Sequence, residues 1–189
     1  MVATLQVFCD FGGTVNTPGT QQNADALGPP QIRFKYADNN TIDNADPIPI
    51  PPSGTNRGRW KHIYLKCSVA PDTQIDNMKV YTDGAGFGTG ITVLVGDGTQ
   101  TKTSASSAGY DPSDVADEVL TGHDTITTTT DVFTYTSGAP RTVSISETSN
   151  IIDAINETTD YIVLSMEVIN TASPGDLTDE NLTYEYDEI

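Results

Sequence analysis

The run from Arg59 to Pro71, R-W-K-H-I-Y-L-K-C-S-V-A-P, constrains the fold more than any other stretch of this chain. It alternates. Ile63, Leu65, Cys67 and Val69 fall on one face, and Trp60, His62, Tyr64, Lys66 and Ser68 fall on the other. Successive side chains of a strand point to opposite faces, whereas a helix repeats every three to four residues, so the run is a strand with one apolar face. Its β-branched and aromatic residues agree with that. Pro71 then stops the pairing, because proline has no backbone N–H to donate. The pattern predicts a central strand on which the other segments pack.

The same two-residue period recurs. Leu5, Val7, Cys9 and Phe11 predict a first strand over 3–11, ended by Gly12 and Gly13, with 14–29 a polar loop. Ile32, Phe34 and Tyr36 predict a second. Met78, Val80 and Thr82 oppose Asn77, Lys79 and Tyr81, and the short Pro71–Thr73 link predicts a hairpin with the central strand. Further strands follow around Ile91–Val95, Val132–Thr136, Val143–Ile145, Tyr161–Ile169 and Leu182–Tyr186. Residues 98–110 read as a flexible loop. Asp111-Pro112 and Ser149 open two short helical turns. Short strands separated by turn signals predict one all-β domain over 1–189. The fold class is an antiparallel β-sandwich, jelly-roll-like, with one or two short helices and long polar loops. Asp38–Asn56 contains P-I-P-I-P-P, which cannot enter a sheet interior, and reads as an exposed arm or loop.

Charge limits the partners. The 189 residues carry 26 acids against 9 Lys and Arg, a formal net charge of -17. Such a surface repels phosphate, so neither nucleic acid nor an anionic membrane is expected as a direct partner. No stretch is long enough to span a bilayer. The start, M-V-A-T-L-Q-V-F-C-D, has no basic n-region and no cleavable apolar core, which predicts no secretory signal. Yet the Thr, Asp, Asn, Gly and Pro content suits an exterior module. A virion component made in the host cytoplasm and released by lysis satisfies both facts; an intracellular β domain is the plainer alternative.

Candidate chemistry is sparse. G-A-G-F-G-T-G at Gly84–Gly90 is followed by a strand and no Lys-Ser or Lys-Thr, so it predicts a turn with positive φ angles and not a phosphate cradle. Asp38, Asn40, Asp43 and Asp46 offer the oxygen ligands that Ca²⁺ prefers. The spacing lacks the Gly and Glu of an EF-hand loop, so a solvated acidic loop without any cofactor is the competing reading. Gly96-Asp97-Gly98 and Asp111–Asp117 are weaker candidates of the same kind. His62 sits on the mixed face of the central strand and His123 in a polar turn; no Ser sits in a nucleophile elbow and neither Cys has a histidine near it in sequence, so the residues argue against an enzyme. Trp60, His62 and Tyr64 share the mixed face of the central strand as a ligand or interface group. Either they stack on a sugar ring, or they lie under a loop or in a subunit contact. Cys9 and Cys67 fall on apolar faces and read as buried free thiols, with a disulfide as the alternative.

The segments I-R-F-K-Y-A-D-N-N-T at 32–41, R-W-K-H-I-Y-L-K-C-S-V-A-P at 59–71, I-D-N-M-K-V-Y-T-D-G at 75–84 and L-T-Y-E-Y-D-E-I at 182–189 together resemble small structural proteins encoded among the head and tail genes of tailed phages and archaeal tailed viruses. The resemblance implies a virion part with no enzyme residues. Its partners would be further copies of itself and other virion proteins such as the major capsid protein. With the acidic balance, it implies an exterior capsid component, a decoration or vertex (turret) protein. A carbohydrate- or receptor-binding sandwich module of a tail or surface structure is the alternative.

Overall fold

The computed structural model describes residues 2–27, 31–98, 100–175 and 177–189. Ten strands form among them: β1 (Thr4–Thr14), β2 (Thr17–Asn23), β3 (Thr55–Arg57), β4 (Lys61–Val69), β5 (Ile75–Tyr81), β6 (Ile91–Gly96), β7 (Thr129–Asp131), β8 (Arg141–Thr142), β9 (Ile162–Ile169) and β10 (Thr183–Glu188). Helix is confined to single 3₁₀ turns, the longest being Ala24–Leu27. The expected helical turn at Asp111 is irregular chain up to a turn at Leu120–Gly122, and the one at Ser149 is a turn at Thr148–Asn150. The fold is an all-β antiparallel sandwich.

The two sheets are unequal. The larger runs β2-β1-β4-β9-β6-β7, with β3 also paired to β9, and the smaller runs β10-β5-β8. β4 is central, flanked by β1 and β9, as its alternation implied. Its Ile63, Leu65 and Cys67 pack with Cys9 of β1, Val93 and Val95 of β6, and Ile162, Leu164, Met166 and Val168 of β9. Across the sandwich they meet Ile75, Met78 and Val80 of β5. Each of these side chains is under a tenth exposed, and burying one stabilises the fold by about 1.5–3 kcal/mol.

Several local expectations fail: Val132–Thr136 begins as a 3₁₀ turn and Val143–Ile145 lies just past the two-residue β8, so neither is a strand. Three further failures have identifiable reasons. β1 does not stop at Gly12. It continues to Thr14, turns at Val15-Asn16 with Asn16 at φ 61, and returns as the polar edge strand β2. Ile32–Tyr36 is not a strand. Ile32 and Phe34 pack on the core, but the backbone bonds go to loops: Tyr36 N–H to the Asp46 carbonyl at 2.9 Å, and Arg59 N–H to the Lys35 carbonyl at 2.9 Å. Finally, β4 and β5 do not form a hairpin. The Pro71 link carries the chain from one sheet to the other, so the apolar faces of the two strands meet face to face instead of pairing by edges. β5 also carries a bulge at Asn77 (φ 49), which brings Ile75 and Met78 inward although they are three apart.

Between 38 and 56 the chain is mostly exposed from Thr41 to Pro47, while Ile48 packs on the core and Pro51 is buried. The last two residues of the expected arm, Thr55 and Asn56, are already in β3. The four glycines at 84, 86, 88 and 90 all take φ between 74 and 90, as a turn of this composition requires.

Candidate functional site

The larger sheet is buried on both faces. Behind it, away from the smaller sheet, lies a second apolar cluster of Trp60, Tyr64, Tyr110, Leu120, Ile126, Tyr161 and Val163. The cover is the segment 100–126, which joins most of the stretch that reads as a flexible loop, 98–110, to the expected helical turn at Asp111 and the chain after it. It is tied down at many points. Tyr161 N–H donates to the Gln100 carbonyl at 2.9 Å, and Lys102 N–H donates to Asp160 at 2.9 Å. Asn16 N–H donates to the Tyr110 carbonyl, and the Tyr110 hydroxyl donates to the Gly12 carbonyl at 2.5 Å. Gly109 lies so close to residues 100–101 that a Cβ there would stand 2.3 Å from backbone atoms, so no other residue fits.

Trp60, His62 and Tyr64 are therefore inside the chain, at 2%, 1% and 2% exposure. Trp60 is bonded through its ring N–H to the Glu118 carbonyl at 3.4 Å. Tyr64 stacks on Phe8 with centroids 5.6 Å apart. Of the readings open for these three residues, the structure realises packing under a loop.

The structure brings together two residues that sequence left apart. His62 and His123 meet through their Nε2 atoms at 3.3 Å. Thr125 N–H donates to His123 Nδ1 at 3.3 Å, which makes that nitrogen the acceptor and puts the His123 proton on Nε2. His62 Nε2 then accepts from His123 and, at 3.5 Å, from Asp111 N–H. The remaining His62 proton then falls on Nδ1, which is buried without a partner among the described residues. Burial, reinforced by its histidine neighbour and Lys61, pushes His62 well below the ordinary imidazole value. Burial also lowers His123. Both rings are neutral at pH 7. The hydroxyl of Thr125 lies 3.2 Å from His123 Nδ1, but the same nitrogen also takes the Thr125 backbone N–H, the arrangement of a local turn.

Beside the histidines is a buried carboxylate. Asp10 of β1, fully buried, accepts from the Tyr161 hydroxyl at 2.6 Å and from Gln21 at 3.3 Å. Its other oxygen has no hydrogen-bond partner among the described residues. Burial raises its pKa, opposed by the Tyr161 bond and the nearby Lys102 ammonium. The two-residue period puts Asp10 with Gln6 and Phe8 on the face opposite Leu5, Val7 and Cys9. The available signal was that Phe8, on that same face, is a poor solvent-facing residue.

The acidic segment is organised without a shared focus. Asp38 accepts from Gly12 N–H at 2.9 Å. Asn40 is fully buried: its oxygen takes Arg33 N–H at 2.6 Å, and its nitrogen donates to Gln22 and to the Gln31 carbonyl. Asp43 pairs with the buried Lys35 at 2.5 Å, a hydrogen bond that holds its carboxyl below the usual range. Asp46 takes a left-handed turn conformation at φ 53. Asp38, Asn40 and Asp43 thus serve separate partners: the Gly12 N–H, then Arg33, Gln22 and Gln31, and then Lys35. Among the described residues no three His, Cys, Asp or Glu side chains converge as a metal site. Asp97 binds the backbone N–H groups of Thr128 and Thr127, each at 2.9 Å, and these hold its carboxyl down to about 2. Asp117 accepts from Arg57 N–H at 2.6 Å and from the Tyr36 hydroxyl.

Both cysteines are free and buried. Cys9 faces Ile63 and Cys67 faces Leu5 in the β1–β4 ladder, so they stand four residues apart along it, about 13 Å at the strand rise and too far to bridge. No family model, curated protein or solved structure matches the chain.

Proposed function

We propose that this chain is a non-enzymatic structural protein of a tailed virus, an exterior capsid component of the decoration or vertex (turret) kind, acting through contacts with its own copies and with the major capsid protein. The observation that carries the reading is the resemblance of 32–41, 59–71, 75–84 and 182–189 to such proteins. Two physical features support it. A net charge of -17 suits an outward position, since a lumen-facing protein would meet packaged nucleic acid. The two histidines, His62 and His123, and the neighbouring Asp10 are buried in internal packing.

Assembly would use what the fold leaves unpaired. β2 and β7 close the order of the larger sheet, and β10 and β8 that of the smaller. β10 presents Thr183, Glu185, Asp187 and Glu188 to solvent, and Thr41–Pro47 is exposed beside the core. Free edges and exposed loops are the usual means by which sheets join neighbours. The test is immunogold labelling and mass spectrometry of gradient-purified particles. Regular labelling of intact particles is expected. Absence from particles, or labelling only after disruption, would refute the proposal.

A further inference from the structure

The chain has two histidines, and they meet each other. His62 belongs to β4 and His123 to the cover, so their 3.3 Å contact spans the seam between the larger sheet and the segment that seals its rear face. Over 111–126 that segment forms no ladder or bridge with the sheet among the described residues. It is held by the packing of Leu120 and Ile126 and by individual bonds. Asp111 N–H donates to His62 at 3.5 Å, Trp60 N–H to the Ser113 hydroxyl at 3.3 Å, the Trp60 ring to the Glu118 carbonyl, and Arg57 N–H to Asp117 at 2.6 Å. The main core lies on the other face of the sheet and shares none of these residues. A segment so attached opens at lower cost than strands held by ladders.

The contact between the rings depends on their protons. His62 Nε2 accepts from two donors on the cover, His123 Nε2–H and Asp111 N–H. An imidazolium carries a proton on each nitrogen and accepts at neither. The surrounding groups set the order of uptake. The Asp111 and Asp124 carboxylates and the Gly109 carbonyl favour charge on His123, and the Trp60 ring lies 5.7 Å from it. His123 takes the first proton, on Nδ1, at the expense of its bond from Thr125 N–H. His62 is faced by Lys61, by the rings of Tyr110 and Tyr161, and then by a charged His123. Asp10, its ladder partner on β1, is bonded to Tyr161 and Gln21 and not to the ring. A second proton on His62 Nε2 therefore brings two like charges together and turns an N–H toward both cover donors.

We propose that this seam is an acid-released latch: uptake of a proton by each histidine frees 111–126 from the rear face of the larger sheet while the sandwich of the two sheets stays folded. The latch is independent of the virion reading and stands or falls separately from it. Each proton that the closed form refuses raises the opening constant about tenfold per pH unit, so the pair raises it up to about a hundredfold. The experiment follows acrylamide quenching of Trp60 and amide exchange in the full chain from about pH 7.5 to about pH 4.5. Trp60 should become quenchable, and the Trp60 and Asp111 amides should lose protection, while amides of the β6–β9 ladder stay protected. His62→Gln keeps an oxygen that accepts from the cover and should reduce the dependence to about tenfold per unit or less. His123→Asn, in irregular chain, should reduce it equally and gives a second reading. Trp60 still shielded at about pH 4.5, exposure of Trp60 only together with loss of the ladder amides, or wild-type steepness in both variants would overturn the latch.

Discussion

The buried histidine pair makes the fold acid-sensitive in a defined window. Both rings lie under the 100–126 cover at 1% and 3% exposure, and both are lowered by burial. In the unfolded chain a histidine titrates near 6.5. Above that pH neither state is protonated and the pair has no effect on stability. Below it the unfolded chain takes up protons that the folded chain refuses, so stability falls as pH falls, until each folded value is reached. Each refused proton costs about 1.4 kcal/mol per pH unit, so the pair contributes a slope of about 2.7 kcal/mol per unit. Asp10 and Asp160 act oppositely. Burial raises both, so they bind protons in the folded state first and recover stability as pH drops through their folded values toward 3.8. Urea unfolding between pH 7.5 and 5.5 therefore reads the histidines. Comparison with His62→Gln cancels the background from the other acids. The wild-type slope should exceed that of the variant by about 1.4 kcal/mol per pH unit below about 6.5. Equal slopes would refute the neutral buried pair.

Other substitutions report on other parts of the packing. Trp60→Ala should cost about 3–5 kcal/mol and lower Tm by about 10 °C or more, since the ring is fully packed; a loss under 1 kcal/mol in chemical denaturation would place it at the surface. Asn40→Ala strands the Arg33 N–H and the Gln31 carbonyl and should cost about 1–3 kcal/mol, whereas EDTA should leave the wild-type melting curve unchanged. Cys9, pushed up to about 12 by burial, and Cys67 should resist thiol reagents until the chain unfolds; rapid native labelling of either would contradict their burial.

How far these features were legible in the sequence depended on distance along the chain. Strands β1, β4, β6 and β9 and the inward side of each were readable, because two-residue alternation is a local consequence of burying one face. Asn77 shows a limit of that rule, since one left-handed residue shifts the phase of β5 and only coordinates reveal it. Ile32–Tyr36 shows another: apolar alternation reports burial, and burial against a core does not require a ladder partner. The Pro71 link looked like a hairpin because a short connection does not reveal whether two strands meet edge to edge or face to face. Least legible was the rear cover. Its anchors are backbone carbonyls and single side chains such as Gln100, Ser113 and Asp160, which leave no periodic signal. For that reason the contact of His62 with His123, 61 residues away, could not be read from either residue's neighbours.

The central structural claim is that the mixed face of β4 is sealed within a single chain. Trp60 is the only tryptophan and, immediately before β4, belongs to the cluster under that seal. The direct measurement is its fluorescence in dilute, monomeric protein. The account predicts emission well to the blue of free indole and weak quenching by acrylamide, both lost together on unfolding. Red-shifted, readily quenched emission from the folded monomer would show that the cover does not close, and would contradict the account.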